Sequence, residues 1–121
     1  MRFLLKSIAA LIGVLAVAVA AWVVFAKTSV TVSVFNDSKR PIAWVKVLDE
    51  QDVYNFDGIA IGESRVLEFS AHGETTYSLV IGFEDGSELR GEALYAEAGY
   101  VFSATVSESS VSNRFERMSY L

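Results

Sequence analysis

"YSLVIGFEDGSELR", residues 77–90, is the stretch whose reading decides the fold class. In an extended chain Tyr77, Leu79, Ile81 and Phe83 fall on one face, and Ser78, Val80 and Gly82 fall on the other. That period of two is the signature of a half-buried strand. "EDGS" (84–87) then interrupts the run, and Asp85-Gly86 between two extended segments is a strong hairpin signal. The stretch therefore reads as strand, tight turn, strand.

The same alternation recurs on either side. "SVTVSVF" (29–35) sets Val30, Val32 and Val34 against Thr31 and Ser33, and "YVFSATV" (100–106) sets Tyr100, Phe102, Ala104 and Val106 against Val101, Ser103 and Thr105. Turn chemistry fills the gaps. "NDS" (36–38) is followed by Pro41 at the head of the next run, where a missing N–H is tolerated. "GES" (62–64) and "HGE" (72–74) bracket Arg65 to Ser70, and "EAG" (97–99) offers a second hairpin, with Gly99 suited to a positive φ. The expected strands are 29–35, 42–49, 52–56, 64–70, 75–83, 88–96 and 100–107. About seven short antiparallel strands in under 100 residues point to an all-β, immunoglobulin-like sandwich; a small closed barrel is the alternative. The tail, residues 108–121, reads as an added edge strand, a short amphipathic piece on Phe115 and Met118, or a disordered end.

The chain divides at Lys27. Of 121 residues 52% are hydrophobic, and the excess is concentrated in residues 1–27. Ser7 to Ala26 carries no charge, and at 1.5 Å per residue it spans roughly 30 Å, the hydrocarbon thickness of a bilayer. A cleaved signal has a shorter apolar core and a small-residue cut site. Cutting after Ala20, with Ala18 and Ala20 as the small pair, leaves a greasy terminus of Ala21-Trp22-Val23-Val24-Phe25; cutting after Ala26 needs an overlong core. Trp22 near the end of the run and Lys27 after it suit an interface and an exit to water. Residues 1–27 are thus expected to form a retained transmembrane anchor, contacting the membrane through residues 7–26. Arg2, Lys6 and the amino terminus hold the N-terminus in the cytoplasm, which places the body outside it. The basic start without cysteine suggests a bacterial inner membrane. A secreted or periplasmic product of cleavage is the alternative.

The body holds seven Lys/Arg against fifteen Asp/Glu, a net charge of −8. Such a balance argues against a nucleic-acid partner, which needs clustered cations to neutralise phosphates. There is no cysteine, so a lipobox-type anchor, disulfides and thiolate metal sites are excluded.

Chemistry-bearing residues are few. His72, the single histidine, sits in "SAHGE" beside Ser70 and Glu74, but no Gly-x-Ser-x-Gly elbow surrounds any serine. A small hydrolase using His72 is therefore a lesser reading, and no catalytic or cofactor-binding residue is assigned. One histidine without cysteine does not make a zinc site. Asp49, Asp52 and Asp57 gather acidic oxygens near strand ends, where a calcium ion could sit, but no D-x-D-x-D-G loop is present and a solvated acidic turn is the simpler reading. Neither metal nor cofactor is expected. "NDS" is also a glycosylation sequon, used only in a eukaryotic source.

Aromatic residues remain. Trp44 falls opposite Val45 and Val47, together with Ile42, Lys46 and Leu48. Either Trp44 is a core residue between the sheets, as the sandwich fold favours, or Trp44 and Lys46 mark a contact surface. Tyr95 and Tyr100 are expected to pack across strands.

"NDSKRPIAWVKVLDEQ" (36–51) resembles the second-strand region of FxLYD-like domains and related bacterial exported β-sandwich modules, with Val45-Lys46-Val47-Leu48-Asp49 on an apolar-x-apolar-x-Asp pattern. "IGES" (61–64) is similar to the Gly-Glu-Ser turn before a later strand; the aromatic and tyrosine of the FxLYD name are absent. The resemblance covers about a fifth of the chain and implies an extracytoplasmic sandwich with an interaction or structural role. Composition, anchor and resemblance together give the expected function: a non-enzymatic, membrane-anchored module that binds another envelope protein or serves a structural role. A secreted inhibitor or ligand binder is the alternative.

Overall fold

The computed structural model describes residues 29–71 and 73–119. The expected membrane anchor, residues 1–27, and His72 lie outside the described residues. Among those described there are nine strands and no helix: β1 (Ser29–Asn36), β2 (Ile42–Leu48), β3 (Val53–Ile59), β4 (Ser64–Ser70), β5 (Glu74–Phe83), β6 (Glu88–Arg90), β7 (Leu94–Glu97), β8 (Tyr100–Val106) and β9 (Val111–Met118). They form two sheets, ordered β4-β1-β8-β9 and β3-β2-β5-β6, with β7 pairing the first half of β5. The fold is an all-β two-sheet sandwich.

Alternation explains the core. Val30, Val32 and Val34 of β1 meet Tyr77, Leu79 and Ile81 of β5, Leu67 and Phe69 of β4, and Phe102 and Ala104 of β8, all at most 4% exposed. Each fully buried side chain of this size contributes about 1.5–3 kcal/mol. Tyr77 continues a line of rings across the interior, with centroids 5.3 Å from Phe69 and 5.4 Å from Phe102. Its hydroxyl is buried without a hydrogen-bond partner, and burial pushes its pKa up.

Several expectations are corrected. The described residues form nine strands where about seven, with the tail as a candidate for an added edge strand, are expected. β1 pairs β8 in parallel, Val32 opposite Phe102, so the first sheet is mixed, not antiparallel. The single strand expected over 88–96 is two, because β6 pairs Val80–Gly82 and β7 pairs Glu74–Tyr77. β3 runs past Phe56 to Ile59, since Gly58 allows β2 to come close: a Cβ there would lie 2.3 Å from the Ile42 carbonyl oxygen. "EAG" is a crossing between sheets, with Gly99 at φ 93°, because β7 and β8 belong to different sheets. Residues 111–118 form an edge strand against β8. "EDGS" does join β5 to β6 in a short turn, with Gly86 at φ 89° and the Phe83 N–H bonded to the Ser87 carbonyl at 2.9 Å.

One end of the sandwich is closed by polar groups. Asn36 is fully buried; its Nδ2 donates to the Arg40 carbonyl (2.9 Å) and the Ile59 carbonyl (3.1 Å), and its Oδ1 accepts from the Ser38 N–H (3.0 Å) and hydroxyl (2.6 Å). Both donors and both acceptor positions of the amide are therefore engaged, so a glycan on Asn36 is incompatible with this folded arrangement. Arg40 sits above, its guanidinium carbon 3.8 Å from the Phe83 ring centre. It donates to Asp85 (3.2 Å), Ser87 Oγ (2.6 Å) and the Glu108 carbonyl (2.8 Å), and its Nε makes an ion-pair contact with Glu108 at 3.3 Å. One side chain thus ties the β5–β6 turn to the β8–β9 turn.

Candidate contact surface

Trp44 is not a core residue. The register of β2 against β5 shifts between Ile42 and Trp44, so Ile42, Val45 and Val47 all point into the core. The extra residue of that irregularity breaks the alternation that would group Ile42 with Trp44. Trp44, Lys46 and Leu48 are left on the outer face of the five-stranded sheet, each half-buried.

The seat of the indole is Gly82, directly opposite Trp44 on β5. A Cβ at position 82 would lie 2.0 Å from Trp44 Cε2 and 2.3 Å from Cζ2. Only a residue without a side chain lets the ring lie on the strand. Lys46 completes the arrangement with its Nζ 4.8 Å from the ring centroid, a cation–π contact of about 0.5–1 kcal/mol at such a site.

Register supplies the neighbours. Asp57, Trp44, Gly82 and Glu88 form one row across the sheet, and Asn55, Lys46, Val80 and Arg90 form the next. The indole is thus flanked by two carboxylates, while Val80, 6% exposed, lies between Lys46 and Arg90 in register. Val53, 57% exposed, stands opposite Leu48 on the same face. A rigid aromatic held flat among charges of both signs has the composition of a protein-contact patch.

The other candidates are dispersed. Asp49 accepts hydrogen bonds from the N–H groups of Gln51 (2.8 Å) and Asp52 (2.6 Å), closing the β2–β3 turn, whereas Asp57 lies in the Trp44 row. Among the described residues no three His, Cys, Asp or Glu side chains are placed to hold a metal ion. The depression lined by Asp49, Asp52, Ser70 and Glu74 has room for about 40 Å³, the share of a single water. Tyr54, beside this turn, has its pKa raised by desolvation, with Asp49 and Asp52 adding to it. Tyr95 and Tyr100 do pack edge to face, with centroids 6.3 Å apart, and the Tyr95 hydroxyl donates to Glu97, which holds its pKa up.

No protein-family model matches the chain, and no curated protein matches it in sequence. Among solved structures, it is similar to the NMR structure of a protein from Eubacterium rectale, with a TM-score of 0.53 over 75% of this chain and 91% of that one. At 14% identity the likeness is one of fold alone.

Proposed function

We propose that the chain is a non-enzymatic, immunoglobulin-like sandwich held at the outer side of a bacterial cytoplasmic membrane by residues 7–26, and that it binds another envelope protein through the outer face of its five-stranded sheet. The observation that carries the reading is Trp44 seated on Gly82 with Lys46 beside it. Evolutionarily cheaper residues would serve an idle sheet face; a large indole there, with its strand neighbour reduced to glycine to admit it, suits recognition. The apolar length of the leader supports the anchor, and the resemblance of residues 36–51 to FxLYD-like modules supports an extracytoplasmic binding role. The partner presents an apolar socket for the indole and cations for Asp57 and Glu88.

The test is a cross-linking pull-down from membranes with the tagged full-length chain. A discrete protein adduct that is lost in Trp44→Ala and in Lys46→Glu is the expected result. Adducts unchanged by both substitutions would refute the contact face. Carbonate extraction tests the anchor separately: release of the chain into the supernatant would favour the cleaved, soluble alternative.

A further inference from the structure

The outer face of the four-stranded sheet has a different chemistry. Its two inner strands present Ser33, Phe35, Ser103 and Thr105, flanked by Ser64 and Val66 on β4 and by Ser112 and Arg114 on β9, with Phe35 37% and Val66 61% exposed. Charge is confined to its edge strands. Glu68 of β4, Thr31 of β1, Val101 of β8 and Arg117 of β9 share one level across the sheet, so an acid stands at one edge and a base at the other. Among the described residues neither has an ion-pair partner. The neighbouring Glu116 is already engaged, accepting from Ser103 Oγ at 2.7 Å and lying 3.8 Å from Arg114 Nε.

We infer that this face binds the same face of a second copy of the chain, about a two-fold axis running along the strands between β1 and β8. That axis lays β4 of each copy over β9 of the other, so Glu68 meets Arg117 of the second copy, twice by symmetry. It also sets Ser33 over Ser103 and Phe35 over Thr105, in the aligned packing usual for stacked sheets. A two-fold axis across the strands at the Ser33 level would instead lay each edge strand over its own copy, leaving Glu68 opposite Ser64 and Arg117 opposite Ser112 with no charge paired and Arg114 facing Arg114. An axis along the strands keeps both Ser29 residues at the same end, as two chains anchored in one membrane require. That last point rests on the anchor reading, and the charge argument does not.

The size of the face sets the conditions. Four strands about 4.8 Å apart and three residue levels about 7 Å apart give roughly 400 Å² per copy, or about 800 Å² in total. Stable interfaces bury about 1,200–2,000 Å². The pair is therefore weak in dilute solution and forms at high local chain concentration, which an anchor in a membrane would supply.

The chain has no cysteine, so Ser33→Cys introduces a single reporter near the axis. In membranes, a bismaleimide spanning the ~10 Å between stacked sheets should give a dimer of the full chain. Glu68→Arg or Arg117→Glu in that background should each lower the yield about five-fold or more. Co-expressing the two charge variants should restore it, because each mixed pair again opposes unlike charges at both contacts, a rescue that misfolding would not give. Absence of a Ser33→Cys dimer, indifference to either charge reversal, failure of the mixture to rescue, or stronger cross-linking from Lys46→Cys on the opposite face would each overturn the inference. A carbonate-soluble chain that still cross-links through Ser33→Cys would refute the anchor and leave this pairing standing.

Discussion

Replacing Asn36 with alanine should be among the most damaging single substitutions in the sandwich. The amide makes four hydrogen bonds, to the Arg40 and Ile59 carbonyls and from the N–H and hydroxyl of Ser38. With Asn36 gone, the Ser38 hydroxyl can turn its one proton to the Arg40 carbonyl, 2.9 Å away, so those two groups stay paired. The Ser38 N–H and the Ile59 carbonyl lose this partner in a site where Asn36 is 0% and Ser38 4% exposed, so water does not replace it. At about 1–3 kcal/mol for each buried polar group left unpaired, the expected loss is about 2–4 kcal/mol once some relaxation is allowed. For a domain of this size that lowers Tm by about 10–20 °C. Urea unfolding followed by far-ultraviolet circular dichroism, on the full chain in a non-denaturing detergent, measures it. Asn113→Ala is the internal control: its Oδ1 is buried without a partner, so its removal should cost under about 1 kcal/mol. Equal losses at the two positions would refute the argument, because burial of an asparagine, and not the pairing of its amide, would then be what matters.

Tyr77→Phe removes a buried hydroxyl that has no partner and should stabilise the fold by about 1 kcal/mol, read as a higher Tm. Because burial raises the Tyr77 pKa above the ordinary value of about 10, the unfolded chain loses that proton first as pH rises. Stability should therefore fall above about pH 10, less steeply in Tyr77→Phe, in an alkaline unfolding series. At the other extreme, hydrogen bonds from the Ser87 hydroxyl and then its N–H, helped by Arg40, pull the Asp85 pKa down to about 2. Its contribution is present above pH ~4 and is lost as pH falls towards 2, so Asp85→Asn should flatten the acid limb of the stability profile. Gly82→Ala should expel the Trp44 indole, seen as a red shift of its fluorescence in a Trp22→Phe background; an unshifted spectrum would contradict the close seat. Residues 28–121 alone should give a β-type circular dichroism spectrum, and a helical or disordered one would contradict an autonomous sandwich.

Strands with one wet face were legible. β1 and β8 alternate through most of their length because each buries mainly one side, while the second half of β5 is buried on both, Val80 and Gly82 lying under the outer face. What alternation does not carry is who pairs with whom. The parallel contact of β1 with β8 joins segments some 70 residues apart, and nothing local to either announces it. The division of residues 88–97 is likewise set by β5, which is ten residues long and receives two short partners end to end. The strand expected over 52–56 runs on to Ile59 because Gly58, without a side chain, lets the carbonyls of Ile42 and Ala43 approach.

Trp44 shows the same limit at the candidate site. Strict alternation puts Ile42 and Trp44 on one face, which makes a buried tryptophan the economical choice for a sandwich. The register irregularity after Ile42 separates them, sending Ile42 inward and Trp44 outward. The sequence did contain a clue in the paired strand. "YSLVIGF" keeps apolar residues at every core-facing position, so the glycine at 82 falls on the outer face, where weakening a strand needs a reason. A large ring from the neighbouring strand is such a reason, and β2 offers one bulky aromatic at the matching level. Glycine on one strand and tryptophan on the next thus form a complementary pair across the outer face, legible only once their register is known. If the pair exists to present the indole, Gly82→Ala should abolish partner capture as completely as Trp44→Ala, because it displaces the ring from its seat although the tryptophan remains in the chain. If it exists only to pack the sheet, the two variants should lose stability and keep the adduct.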